Sequence, residues 1–246
     1  MKRLWQSLHI LGIDAPYTVD EMAAACLETI RANKLEQCYI RPIVFVGDGE
    51  MGLAAVDNPI NMSVAVWPWG SYLGEDGITN GIKVKTSSFQ RFAVNSQMTK
   101  AKAVGHYVNS ILASLESRRA GYDEALMLDT DGYAAEGCGE NLFIVRGGRV
   151  KTPPIATVLE GVTRNTAIDL LSGAGVEVVE ERFTRDEIYI SDEAFFTGTA
   201  AEITPIRSLD DRSIGEGGPG PVTRQVQDEY FAAIKGEPNL AMGSSE

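Results

Sequence analysis

The sequence predicts an α+β protein built as two domains, and three observations carry that reading. Strand-like and helix-like segments follow one another without the strict alternation of βαβ units. Short apolar runs separated by turn glycines crowd the second half, as hairpins do. Between two groups of elements lies "PWGSYLGEDG", rich in glycine and aromatics, the best linker in the chain. The expected division is therefore 1–66, a linker at 67–77, and 78–246.

The elements follow in order. "MKRLWQSLHILGI" has a basic start and an apolar stretch, but Gln6, Ser7 and His9 interrupt it and no small-residue cleavage site closely follows. It reads as an amphipathic helix rather than a signal peptide. Thr18 with Glu21 forms a capping box ahead of the helix "MAAACLETIRANKL". "CYIRPIVFVG" and "MSVAVWPWG" read as strands, the second ending at a Pro-Trp-Gly breaker, and "GIKVKTSSFQR" as a strand beyond the linker. A helix after Lys102 should stop at Gly121, behind two arginines suited to its last turn.

"EALMLD", "YAAEG", "ENLFIV" and "RVKT" then form hairpins around the turns "TDG" and "RGG". "TRNTAIDLLSGAG" is a helix opening at Thr163, and "VEVVEERFT" and "EAFFTGTAAEITPIRSL" are further strands. After the flexible "GEGGPGP", "VTRQVQDEYFAAIKG" is a last amphipathic helix.

Composition narrows the function classes. A net charge of −12 repels phosphate backbones and anionic membranes. The apolar fraction of 44% is that of an ordinary globular chain, and no stretch approaches the length of a membrane span. Cys26, Cys38 and Cys138 are an odd number without CxxC spacing, and His9 and His106 are the only histidines. A reduced, cytoplasmic setting without a metal centre follows from these counts.

Four stretches could carry chemistry. Lys102 lies ahead of a helix among small and apolar residues, either as a snorkelling cation or as a desolvated amine acting as nucleophile and base. "AAEGCGENLF" sets Glu136 and Glu140 in a glycine-rich turn, where the backbone can approach a ligand or merely reverse direction. "LEGVTRNTAID" brings Gly161, Val162 and Thr163 to a helix N-terminus, which favours an anion unless threonine simply caps it. "FFTGTAAEITP" offers the hydroxyls of Thr197 and Thr199 beside Gly198, or just a bulged strand. Together they supply an amine, a carboxylate and two anion sites, a set that suits a pyridoxal phosphate enzyme.

"KAVGHY", "YAAEGCGENLFIV", "LEGVTRNTAIDLL", "FTGTAAEITPIRS" and "GPVTRQVQDEYF", in this order, resemble the fold-type IV pyridoxal phosphate enzymes, and among them the branched-chain amino acid aminotransferases. The resemblance runs over almost the whole chain. It selects Lys102 over Lys100, because the family's Schiff-base lysine precedes an Ala-x-Gly-x-Tyr pattern. It implies that Tyr107 bonds the cofactor's phenolic oxygen and that Glu136 faces the pyridine nitrogen. Arg3, the Val162 and Thr163 amides and the Thr199 hydroxyl would take the phosphate. The amides around Ala200 and Ala201 would take the substrate α-carboxylate, with Tyr39, Arg41, Trp69 and Tyr72 around the side chain. Arg41 is the implied partner of the distal carboxylate of glutamate.

The implied activity is amino-group transfer between leucine, isoleucine or valine and 2-oxoglutarate, with Lys102 as covalent anchor, base and acid. The large second domain would hold the cofactor, and the protein would form a dimer or higher homo-oligomer. Related readings are a D-amino acid aminotransferase, an aminodeoxychorismate lyase, an (R)-selective amine transaminase, and a cofactor-binding protein without turnover. "EGCGEN" and "YIRP" favour the branched-chain type. Members of that family carry several dozen residues ahead of the position of Met1, including edge strands of the small domain and a "YGxxxFEGIR"-like stretch. The small domain is accordingly expected to be shortened, with a sheet edge and apolar surface exposed. His106, where asparagine is frequent, is a smaller departure.

Overall fold

The structure is a computed structural model that describes residues 1–54, 57–70 and 72–236. Ser71 of the expected linker and residues 237–246 of the expected second domain lie outside the described residues. The chain divides into one unit of Met1–Gly70 with Lys100–Ala103, and another of Ser71–Thr99 with Val104–Glu246.

The first unit holds helices α1 (Lys2–Ile10) and α2 (Val19–Ala32) and strands β1 (Tyr39–Val46) and β2 (Ile60–Trp67). Thr18 and Glu21 make the capping box read from the sequence, the Thr18 Oγ1 accepting from the Glu21 amide at 3.2 Å and the Thr18 amide donating to Glu21 at 2.8 Å. Met22 and Cys26, one turn apart, are the buried residues of α2, which packs on β2. β1 and β2 pair antiparallel over their full lengths, Tyr39 opposite Trp67 and Val46 opposite Ile60. These two strands form a sheet of their own, so each has one unpaired edge among the described residues. Ile40, Ile43, Phe45 and Val46 are exposed, the apolar surface expected of a short sheet.

The second unit is organised by a nine-stranded mixed sheet. Its strands are β3 (Ile82–Thr86), β4 (Glu124–Leu128), β5 (Ala134–Glu136), β6 (Asn141–Arg146), β7 (Arg149–Thr152), β8 (Val178–Glu180), β9 (Glu193–Gly198), β10 (Glu202–Leu209) and β11 (Arg212–Ser213). β9 pairs with both β10 and β6, which closes β10, β3, β4, β5, β6 and β9 into a ring. Alternation along β6 and β9 splits their side chains between two cores. Leu142, Ile144, Ala194 and Phe196 join one core with Ile82, Val84 and Leu126. Phe143, Val145 and Phe195 join the other with helices α5 (Val162–Gly173) and α7 (Pro221–Ile234) through Ala167, Leu171 and Val226. Phe143 and Phe195 lie opposite each other in register, their rings stacked at 4.9 Å.

Three further helices complete this unit: α3 (Glu75–Asn80), α4 (Tyr107–Arg119) and α6 (Arg185–Tyr189). Several expected elements are shorter or divided. "GIKVKTSSFQR" is strand only to Thr86, since the Ser87 and Arg91 amides bond the carbonyls of Leu126 and Leu128 outside any regular ladder. "VEVVEERFT" is strand only over Val178–Glu180, and α3 begins inside the expected linker. "EAFFTGTAAEITPIRSL" is a hairpin, not one bulged strand: β9 turns through Thr199–Ala201 into β10, with Glu202 at φ +54°. A 3₁₀ turn over Val104–His106 precedes α4, which ends ahead of Gly121 at φ +84°, the stop read from the sequence.

Glycine marks where α7 starts. The N-cap Gly220 offers no side-chain cap, and a Cβ there would run into the Glu193 carboxylate. Glu193 instead accepts from the amides of Val222 at 3.0 Å and Thr223 at 2.7 Å, and from the Thr223 hydroxyl at 2.6 Å. A buried carboxylate thus meets the positive end of the helix.

Candidate active site

The residues singled out in the sequence fall in both units, and each set is described within its own unit.

In the second unit β5 ends at Glu136, whose carboxylate is buried. Arg91 Nε lies 2.8 Å from Glu136 Oε1, both side chains being under one-tenth exposed. The Nε–H is not aligned for a hydrogen bond, so this contact is an ion pair. Arg91 is held in turn by Asn109 Oδ1 on α4 at 3.3 Å and covers the Phe92 ring at 4.3 Å. Glu136 Oε2 accepts from the Leu159 amide at 3.2 Å and weakly from Asn141 Nδ2 at 3.5 Å.

The Leu159 contact ties the carboxylate to the start of α5. Asn141 Nδ2 also donates to the Leu159 carbonyl at 2.9 Å, so the loop ahead of the helix is pinned from two sides. A Cβ on Gly161 would collide with the Asn141 amide oxygen, which explains glycine at this N-cap. No side chain caps α5, and among the described residues none accepts from the Val162 or Thr163 amides. Thr163 is therefore not the cap the sequence allowed; it is a buried residue of the first turn. Val162 lies three positions beyond Leu159, so at most about 11 Å of chain joins the Leu159 contact to the open helix N-terminus.

The turn between β9 and β10 presents Thr199 exposed, Ala200 half-buried and Ala201 buried. The Ala201 carbonyl accepts from Thr204 Oγ1 at 2.6 Å, and the Ala200 carbonyl from the Tyr72 amide at 3.4 Å. The carbonyls are thus engaged, while the amides of both alanines have no acceptor among the described residues. The Tyr72 phenol is pushed up to about 12 by burial and then by the nearby carboxyls of Glu124 and Glu140, so it remains a proton donor at neutral pH. Tyr107 opens α4 and is half-buried.

In the first unit a buried serine links the two remaining cofactor candidates. Ser7 Oγ donates to the Arg3 carbonyl at 2.8 Å and accepts from the Lys102 amide at 3.0 Å. Ala101, beside Lys102, is also buried, so this backbone is fixed from both sides while the Lys102 side chain is exposed. Tyr39, Trp67 and Trp69 form an aromatic cluster with centroids 4.6–5.4 Å apart. The Arg41 guanidinium lies 5.4, 5.3 and 6.0 Å from their centroids, held by cation–π attraction with no carboxylate in ion-pair range among the described residues. The paired register explains it: Tyr39 is opposite Trp67, and Arg41 is two residues along the same face.

Ser7, Arg91, Asn141 and Trp67 were not identified from the sequence. Ser7 sits one helical turn from Arg3, and Asn141 follows directly on Glu140, so both carried a faint signal. Arg91 carried none, since only the fold brings it to Glu136.

The arrangement in the second unit fits a small phosphorylated ring carrying a basic nitrogen: an open helix N-terminus for the anion, and a buried carboxylate for the nitrogen. Among the described residues no cluster of histidine, cysteine and carboxylates could hold a metal ion.

Residues 1–209 match the family model described as amino-transferase class IV. The chain is 51% identical over 235 residues to the branched-chain-amino-acid aminotransferase of Pseudomonas aeruginosa, covering 96% of this chain and 76% of the relative. It is similar to the crystal structure of the Escherichia coli branched-chain amino acid aminotransferase with a TM-score of 0.95 at 43% identity, covering 98% of this chain and 80% of that one. The branched-chain aminotransferase of the thermophilic archaeon Thermoproteus uzoniensis, crystallised with norvaline, gives 0.92 at 39% identity, with 98% and 80% covered.

Proposed function

The chain belongs to the amino-transferase class IV family, and from that premise we propose that it transfers amino groups between branched-chain L-amino acids and 2-oxoglutarate with pyridoxal phosphate as cofactor. The structural observation that carries this reading is the buried Glu136, paired with Arg91, tied through Leu159 to an uncapped α5 N-terminus. The kinship with named branched-chain aminotransferases supports this choice over the D-amino acid and lyase readings.

When bound, pyridoxal phosphate supplies an electron sink that acidifies the substrate α-carbon and carries the amino group between substrates. Lys102 Nζ would hold the cofactor and, as a free amine, would take the substrate α-proton as general base and return it as general acid. The Ser7 bond to the Lys102 amide holds the lysine backbone while its side chain changes role. Glu136 would hold the ring nitrogen and stabilise positive charge there. Val162 and Thr163 would offer amides, Thr199 a hydroxyl and Arg3 a guanidinium to the phosphate, and Tyr107 would donate to the phenolic oxygen. The Ala200 and Ala201 amides receive the α-carboxylate. Arg41 in its aromatic cluster suits both substrates: the rings pack an aliphatic side chain, and the guanidinium takes the second carboxylate of glutamate.

We further assign residues 1–66 as a small domain, shortened at its N-terminus, 67–77 as the linker and 78–246 as the cofactor-binding domain. The protein is proposed to self-associate and to work in the cytoplasm. All three cysteines are free, in keeping with a reducing compartment, and no helix among the described residues is long and apolar enough to cross a membrane. Feeding L-leucine or D-alanine as sole amino donor to 2-oxoglutarate tests the reaction. L-leucine is expected to give L-glutamate, and turnover of D-alanine alone would overturn the assignment.

A further inference from the structure

Arg164 is a large side chain with almost no surface, its exposure being 1%. It belongs to the first turn of α5, directly behind Val162 and Thr163. Its Nη2 donates to the Pro153 carbonyl at 3.1 Å and pairs with Glu180 Oε2 at 2.9 Å. Pro153 follows the end of β7, and Glu180 lies opposite Thr152 at the end of β8. The guanidinium therefore ties the helix start to the ends of two strands. Nη1 reaches Asn165 Oδ1 at 3.4 Å, and Asn165 Nδ2 donates to Glu160 Oε1 at 3.2 Å. Side-chain bonds thus bracket residues 161–163 from both sides.

Stability alone does not account for an arginine at this position. Its Nε is buried and has no hydrogen-bond acceptor among the described residues, which costs free energy. A cation in the first turn also opposes the helix dipole, and α5 has neither an acidic first-turn residue nor a side-chain cap to offset it. An apolar side chain of similar volume would fill the space without either penalty. It could not fix the rotation of the turn that carries the Val162 and Thr163 amides. Hydrogen bonds weaken steeply as their angle opens, so the aim of those amides decides how well they hold an anion. We infer that Arg164 is a positioning residue for the cofactor phosphate, holding the Val162 and Thr163 amides toward the anion through the first turn of α5. The role rests on the cofactor reading proposed above, and Arg164 acts through the backbone of its neighbours.

The test compares pyridoxal phosphate with pyridoxal, which lacks the phosphate, as ligands of the cofactor-free full chain, titrated by visible absorbance. The wild type should bind pyridoxal phosphate at least about a hundredfold more tightly, as two charge-assisted bonds imply. Arg164→Met should lower that preference at least about tenfold and leave pyridoxal binding unchanged. Methionine fills the space and Glu180 is 45% exposed, so the fold should survive, checked by circular dichroism. Should Arg164→Met lose its fold, Glu180→Ala decides: it frees one end of the guanidinium from the surface side and should lower the preference about threefold. An unchanged preference in whichever variant folds, or equal weakening of both ligands, would leave Arg164 a part of the fold only and overturn the role. A wild type that binds both ligands alike would overturn the phosphate site at α5, and the role with it.

Discussion

Replacing Arg91 by methionine isolates what the buried ion pair contributes. Arg91 and Glu136 have side-chain exposures of 8% and 7%, so removing the guanidinium strands a carboxylate away from water. Breaking such a pair typically costs ~3–5 kcal/mol. Glu136 keeps the Leu159 amide at 3.2 Å, and Arg91 Nε–H was not aligned with Oε1, which places the cost near the lower end, about 3 kcal/mol. In a chain of this length each kcal/mol moves the melting midpoint by about 2–4 °C, so a fall of about 6–12 °C is expected. Glu136→Gln should cost a comparable amount by stranding the guanidinium. The double variant removes both charges and should cost less than the sum, leaving a coupling of at least about 2 kcal/mol. Equilibrium urea unfolding of the cofactor-free protein, followed by circular dichroism at low and high salt, measures all four states. A cost below about 1 kcal/mol for Arg91→Met would refute the reasoning, as would additivity or a coupling abolished by salt.

Three other variants probe separate parts of the account. Glu193→Gln keeps the shape of the α7 cap but loses its charge, and should lower stability by about 2 kcal/mol, read from the urea midpoint. Burial raises the Glu124 carboxyl above its ordinary range, outweighing bonds from the Cys138 thiol and the Ala125 amide. The folded protein therefore keeps this proton where the unfolded chain has released it, and stability falls as pH rises from the ordinary carboxylate range through the raised value. Glu124→Gln does not titrate, so its melting point should gain on the wild type between about pH 5 and pH 8; an equal difference at both would contradict this. Arg41→Met should raise the KM for 2-oxoglutarate by about a hundredfold and that for leucine far less, because only the former needs the guanidinium. Equal effects would remove Arg41 from the carboxylate site.

Much of the fold was legible because local rules and tertiary demands coincide. The capping box at Thr18, the stop at Gly121 and the turns around β6 and β7 each rest on neighbours in sequence. Limits and caps that depend on distant partners were not legible. β3 stops at Thr86 because Asp210 claims the Thr86 amide and hydroxyl, both at 2.7 Å, from 124 residues away. The α7 cap comes from Glu193, 30 residues upstream, so no capping residue appears beside the helix. The same contrast holds at the candidate site. Glu136 and the α5 start stood out through their glycines, whereas Arg91 reaches Glu136 only when β4 and β5 are paired.

The central claim is that Lys102 anchors pyridoxal phosphate in a pocket that turns over branched-chain amino acids. A visible absorption spectrum tests it most directly: the protein is loaded with pyridoxal phosphate, freed of excess, and titrated with L-leucine in the absence of any 2-oxo acid. The account predicts a retained visible band in the wild type that declines as the band of the aminated cofactor grows. Lys102→Ala should show no covalent attachment after borohydride reduction. A retained band indifferent to leucine, or cofactor still fixed to Lys102→Ala, would contradict the claim.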